Sequence, residues 1–244
     1  MEYAVETHRL SKNYKDTRAV NGLDLTIKNG EIFALLGVNG AGKSTTIRML
    51  CGLSEPSGGE ALLCGINIAE NPSEAKKILN VSPQETAVAP NLSVRENLEL
   101  MAGIYGVGAH EARERASRQI ERLSLGQVAD KKAKKLSGGW QRRLRIAMAL
   151  ISEPEILFLD EPTLGLDVLA RRELWGVIEG MKGSKTVILT THYLDEACAL
   201  ADRIGIMANG SLKACGTEKE LLELSGCVSF EDAFVKLCSE AEKQ

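Results

Sequence analysis

The stretch Gly37-Val38-Asn39-Gly40-Ala41-Gly42-Lys43-Ser44-Thr45 restricts the fold more than any other part of this chain. It fits the pattern G-x-x-x-x-G-K-[ST]. The run before it, "EIFALLG", is short and continuously apolar, as a buried strand is. The run after it, "KSTTIRMLCGL", has helical spacing and ends near Gly52. A strand, a glycine-rich loop and a helix N-terminus together make a phosphate cradle. Glycines let backbone N–H groups curl around an anion without Cβ clashes, and the helix start adds positive dipole. Lys43 would reach the β- and γ-phosphates, and the Ser44 hydroxyl would ligate Mg²⁺.

Such a loop needs a carboxylate partner, and "ILFLDE" supplies one. Asp160 ends a buried strand and would hold Mg²⁺, directly or through water. Glu161 follows and is free to orient or deprotonate an attacking water. A second apolar strand ends in "TTH". A lone histidine is more often structural, but His192 falls at the mouth of the same sheet, where α/β folds gather ligands. Gln84 in "VSPQE" is either a polar loop residue or a Mg²⁺ and water contact that senses the γ-phosphate. Tyr14 in "SKNYKD", placed in a turn, either stacks on an adenine or covers a sheet edge.

One stretch resists this scheme. "KKLSGGWQRRLRIAMALI" opens with Ser137, Gly138 and Gly139 at the start of a basic amphipathic helix. That start also suits a phosphate. Leu144, Ala147, Met148 and Ile151 fall on one side of the wheel, with Gln141, Arg142 and Arg145 largely elsewhere. One chain thus carries two phosphate-binding starts.

Composition narrows the alternatives. Lys+Arg 30 against Asp+Glu 33 gives a net charge of −3, without the basic bias of a nucleic-acid binder. Aromatics at 4% leave few stacking platforms for single strands. No apolar run approaches the ~18 residues that span a bilayer, and "MEYAVETHRL" has no apolar leader. Six scattered cysteines without a CxxC pair read as reduced thiols.

Along the chain, strands open the sequence, with turns at Asn21-Gly22 and Asn29-Gly30. From about Gln84 to Ile151 the pattern is helical, with Ser93 and Glu96 at capping-box spacing. The charges of "AHEARERASRQIERLSL" read as a solvated face. Buried strands return after Pro154, "VLARRELWGVIEGM" is helical, and "DRIGIMANGSLKACG" is a hairpin turning at Asn209-Gly210. Strands alternating with helices predict an α/β fold with a mainly parallel core sheet. The tail from Gly216 reads as helical and amphipathic.

In order and spacing, these pieces resemble the ATP-binding subunit of an ABC transporter over about Tyr3 to Gly216. "GVNGAGKST" is similar to its Walker A, Gln84 to its Q-loop, "LSGGW" to its signature, "ILFLDE" to its Walker B, "LGLD" to its D-loop and His192 to its switch histidine. The resemblance implies a P-loop cassette with an antiparallel β subdomain and a helical subdomain at about 85–151, within an ATPase domain of 1–216 and a helical tail of 217–244. It implies ATP and Mg²⁺ as ligands. It also implies a second ATP-binding subunit packed head to tail, a homodimer when active, and a separate integral membrane permease, with no nucleic acid. Ser137, Gly138 and Gly139 would then bind the γ-phosphate held by the partner's Walker A, and Asp167 would couple the two sites.

By the same resemblance the chain would be cytoplasmic, peripheral on the inner face of the membrane, with its permease contact near Gln84 and Ser93 to Tyr105. Trp140 stands where the family's signature has glutamine, which puts that residue's polar contacts in doubt. It would pack on the facing subunit or the nucleotide sugar, or be a tolerated surface substitution. "LGVNGAGKSTTIRMLCGL", "PSGGEALLCG" and "GLDVLARRELW" are most similar to the ABC-2 type exporter group.

Overall fold

The computed structural model describes residues 2–83 and 88–239; Gln84 lies outside the described residues. The chain opens with two long antiparallel strands, β1 (Tyr3–Tyr14) and β2 (Thr17–Lys28), then the fully buried β3 (Ile32–Leu36). Helix α1 (Lys43–Leu50) follows, then β4 (Gly58–Leu63), β5 (Ile66–Asn67), α2 (Pro72–Ile78) and β6 (Leu79–Ser82). Three helices come next: α3 (Val94–Ile104), α4 (Ala109–Arg122) and α5 (Gly138–Leu150). The core resumes with β7 (Ile156–Asp160), α6 (Val168–Glu179), β8 (Thr186–Thr191), α7 (Leu194–Leu200) and the hairpin β9 (Arg203–Ala208) and β10 (Ser211–Gly216). Helices α8 (Glu218–Ser225) and α9 (Phe230–Ser239) follow.

Two sheets form. One is four-stranded and antiparallel, in the order β2-β1-β4-β5. The other is six-stranded, β10-β9-β3-β8-β7-β6, parallel except for the edge pair β9-β10. Strands β3, β7 and β8 are apolar on both faces, which only a sheet covered on both sides tolerates. Their register matters most for the site. Leu36 pairs with Thr191 and Asp160 with Thr190, so the glycine loop, Glu161 and His192 all leave the sheet at one edge.

Two turn expectations fare differently. Asn209 and Gly210 turn the β9-β10 hairpin with φ of 48° and 75°, the pairing a tight hairpin wants. Asn21-Gly22 is not a turn: β2 runs straight through it. The register slips between Leu10↔Leu23 and Lys12↔Val20, and Gly22 takes φ 60°, so the glycine serves a bulge. The Asn21 N–H donates to the Gly210 carbonyl at 2.7 Å, tying the antiparallel sheet to the hairpin. Tyr14 closes β1 rather than standing in a turn.

In the helical lobe, Ser93 and Glu96 complete the capping box at α3: the Glu96 N–H donates to Ser93 Oγ at 3.2 Å and the Ser93 N–H to Glu96 Oε2 at 2.7 Å. Helix α4 turns Ala112, Ala116 and Ile120 inward, and its Arg115 and Arg118 reach the carboxylates of Glu111 and Glu153. Helix α5 departs from the amphipathic expectation. Arg142 and Arg143 are buried along with the apolar face. The helix is wedged between lobe and sheet, where Arg142 is bonded to main-chain carbonyls and Arg143 to Glu173 at the surface. Leu221 of α8 and Phe230 and Leu237 of α9 pack into the same core cluster as α5, β7 and β8.

Candidate functional site

The glycine loop is built for close approach. Gly42 has φ 102°, and a Cβ there would sit 2.5 Å from the Ala19 carbonyl. A Cβ on Gly37 would sit 2.4 Å from the Met207 carbonyl. Neither position admits alanine without moving backbone. No side chain caps α1 and no acid stands in its first turn, so its leading N–H groups keep their positive field for an anion.

Lys43 is buried and folded back on the loop. Its Nζ donates to the Gly37 carbonyl at 2.6 Å and the Val38 carbonyl at 3.1 Å, and lies 3.8 Å from Glu161 Oε1. Burial lowers its pKa, while Glu161 and Asp160 work in the opposite direction. Asp160 Oδ1 accepts from Thr190 Oγ1 at 2.5 Å and Ser44 Oγ at 3.2 Å, which puts a hydroxyl and a carboxylate that could hold a divalent cation side by side.

Glu161 takes φ 50°, left-handed and rare for a residue with a side chain. Its N–H donates to the Thr190 carbonyl at 3.2 Å and to Thr190 Oγ1 at 3.1 Å. The twist aims its carboxylate across the sheet edge. Oε2 stands 2.7 Å from His192 Nδ1. This is a close approach rather than an aligned hydrogen bond, and neither atom has an aligned partner among the described residues. Both are buried polar atoms with capacity left for a bound water or phosphate.

Lys43, Glu161 and His192 line one cleft of about 860 Å³, together with Asn39, Gly40, Ala41, Gly42, Ser44 and Thr45, whereas Gly37 and Asp160 are not among its lining residues. Tyr14 forms its rim, 45% exposed, with its hydroxyl 3.5 Å from Ser54 Oγ and Lys12 Nζ 5.1 Å from its ring centre. Arg18 and Leu164 also line the cleft, and sequence reasoning gave them no place in a phosphate site.

Ser137, Gly138 and Gly139 do not line it. Ser137 is the N-cap of α5, yet its side chain caps no helix N–H, and both it and Gly138 are exposed. The chain therefore presents a second anion-ready helix start that does not face its own cleft. Trp140 is half-buried against its own core, with the Arg143 guanidinium 5.0 Å from its ring centre and that guanidinium bonded to Glu173 of α6. It is anchored within its own chain. Asp167 is the N-cap of α6, its Oδ1 accepting from the N–H groups of Leu169 at 3.0 Å and Ala170 at 2.9 Å.

Behind the site, Glu196 is fully buried and accepts from Trp175 Nε1 at 3.2 Å. Burial, the largest influence, raises its pKa above the usual carboxylate value. The raised acid favours folding below its unfolded pKa, and that contribution is lost as pH rises through the folded value. Glu196→Gln removes the ionisation. It is expected to raise Tm at pH 7–8, where the wild-type carboxylate must either ionise in the interior or hold its proton. The gain should fade as pH drops through the unfolded carboxylate pKa of about 4.3 and be absent well below it. Melting curves across that range check this.

Among the described residues no group of three or more His, Cys, Asp or Glu side chains could hold a metal, and all six cysteines are free. No helix among them is long and apolar enough to cross a membrane.

Comparison with known proteins converges on one family. A family profile described as ABC transporter matches residues 20–164. The chain is 44% identical over 219 residues to the daunorubicin/doxorubicin resistance ATP-binding protein DrrA of Streptomyces peucetius, covering 89% of this chain and 66% of that protein. It is 39% identical over 249 residues to the probable multidrug ABC transporter ATP-binding protein YbhF of Escherichia coli, covering 100% of this chain and 43% of that protein. The chain thus spans less than two thirds of the length of both relatives. Among solved structures, it superimposes with a TM-score of 0.78 at 28% identity on the dimeric ATP-binding cassette MJ0796 in a post-hydrolysis state bound to ADP and Pi. That match covers 87% of this chain and 98% of the other.

Proposed function

The chain belongs to the ABC transporter family, and from that membership we propose that it is the ATP-hydrolysing subunit of an exporter, working as a dimer on a separate membrane permease. One observation carries the reading. Lys43, Glu161 and His192 converge in one cleft, while Ser137-Gly138-Gly139 stands ready outside it. The helix start with no target in its own chain finds one in a second copy, whose cleft presents a γ-phosphate. Two ATPs would lie between two subunits, each held by Walker A of one and the signature of the other. The dimeric MJ0796 cassette supports this arrangement.

The chemistry follows from the geometry. Lys43 exchanges its loop carbonyls for the phosphates as nucleotide enters. The free N–H groups of α1 and of the glycine loop take the remaining phosphate oxygens. Tyr14 would offer its face to the adenine. Ser44 and Asp160 fit a Mg²⁺ ion, which takes few protein ligands besides phosphate and water; when bound it neutralises the phosphate charge. Gln84 is proposed as a further contact there. Glu161 would take the proton of the attacking water, with His192 holding its carboxylate in place. Hydrolysis removes the γ-phosphate that joins the two subunits, so the dimer opens and the cycle drives the permease. Asp167 would transmit that change across the interface. The drug-resistance name of DrrA and the multidrug-transporter name of YbhF support export as the direction, and the permease would hold the chain at the cytoplasmic membrane face.

Mg²⁺-dependent ATPase activity of the purified chain, with and without the permease, tests the reading. Lys43→Ala should weaken ATP binding by about 10–100-fold, since a charge-assisted contact contributes about 1.5–3 kcal/mol. Undiminished affinity for a fluorescent ATP analogue would remove Lys43 from the site.

A further inference from the structure

Helix α5 begins at the candidate trans phosphate contact and, one turn later, sends Arg142 into the interior. The guanidinium is buried. Its Nε donates to the Pro162 carbonyl at 2.6 Å. Its Nη2 donates to the Asp160 carbonyl at 2.7 Å and also to that of Glu161. Its Nη1 reaches the Pro83 carbonyl at 3.4 Å, directly before Gln84. Burial lowers its pKa to about 10, so it stays charged near neutrality.

In an extended strand, neighbouring residues face alternate sides. Here three consecutive carbonyls converge on one cation because the chain turns at Glu161, the residue with φ 50°. The planar guanidinium fork suits such a fan, and an ammonium does not. The rare backbone conformation that aims Glu161 is thus held from α5, the helix whose first residues await a partner's phosphate. A displacement of α5 has a rigid route to the main chain of Glu161 and to the residue before Gln84.

We propose that Arg142 is a positioning residue that links the two ATP sites of the dimer. Closure of the signature on the partner's ATP sets, through Arg142, where this chain's own Glu161 stands against its own ATP. The proposal rests on the reading of Ser137-Gly138-Gly139 as a trans contact and of Glu161 as the base.

Arg142→Lys tests it, because lysine keeps the charge and loses the fan. ATP affinity of the single chain should stay within about twofold of wild type. Arg142→Lys combined with Glu161→Gln should still dimerise on Mg-ATP. The kcat of Arg142→Lys should fall about 100-fold while KM moves less than about threefold. An unchanged kcat overturns the proposal. So does a parallel fall of kcat, ATP affinity and Tm, which marks a merely structural arginine. Should the lysine variant not fold, hydrogen exchange on Glu161→Gln decides. Mg-ATP must then slow the amides of residues 161–164 together with those of α5, and no change at 161–164 overturns the proposal. A wild-type chain without ATPase activity removes the functional reading and this proposal with it. An active wild type beside an equally active Arg142→Lys removes only the role of Arg142.

Discussion

Glu161→Gln is expected to lower the ATP hydrolysis rate by about 10²–10⁴-fold, the contribution of a positioned general base, while leaving ATP binding in place. The amide is nearly isosteric with the carboxylate but cannot accept the water's proton. Its approach to His192 and Lys43 survives in shape, without the charge. With hydrolysis blocked, the γ-phosphate stays between the subunits. The variant should therefore change from monomer to dimer on adding Mg-ATP, read as a doubling of mass by light scattering. A variant that keeps hydrolysing at the wild-type rate would move the base elsewhere. One that stays monomeric would mean that closure requires the permease or a different cassette.

Gly138→Asp is expected to abolish that ATP-driven dimer and to cut steady-state hydrolysis by at least about 100-fold, with ATP affinity of the single chain unchanged. The substitution is mild for the monomer. A Cβ at Gly138 meets nothing within 4 Å, and an acid in the first turn of α5 complements the helix dipole. Tm should hold or rise slightly. For a partner's γ-phosphate the same carboxylate is a like charge placed at the intended contact, where repulsion costs several kcal/mol. Gly139→Ala makes a useful contrast, because its Cβ would meet Ala170 at 3.2 Å and disturb α6 in the same chain. If Gly138→Asp hydrolyses and dimerises normally, the signature does not act in trans.

The legibility of the chain was uneven, for reasons visible in single residues. Lys43, Ser44 and Asp160 could be placed from sequence because the loop, the apolar runs on either side of it and the terminal carboxylate have local signals. Capping at Ser93 and the hairpin at Asn209-Gly210 were equally local. Asn21-Gly22 misled, since the same pair of residues serves a turn or a bulge, and the pairing of β2 with β1 decides which. Helix α5 misled more deeply. A helical wheel assigns arginines to solvent, whereas Arg142 finds carbonyls in the interior and Arg143, itself buried, reaches the exposed Glu173 of α6. Their acceptors lie 18 to 59 residues away, beyond any periodicity. Trp140, read as an outward-facing change in the signature, is held under Arg143 for the same reason.

What the sequence determined by itself is the local pieces: a glycine loop leading into a helix, an Asp-Glu pair closing a buried strand, a histidine closing another and a second helix opening on Ser-Gly-Gly. Each depends on a few neighbouring residues, whose backbone freedom and functional groups suffice to define it. Only the tertiary structure decided which of these lie together. The parallel register of β3, β7 and β8 brings Walker A, Glu161 and His192 to one edge, and wedging α5 against that sheet leaves Ser137-Gly138-Gly139 outside the cleft. Strand pairing and burial link residues more than a hundred positions apart, as Ser44 is linked to Asp160, and no local pattern encodes that distance.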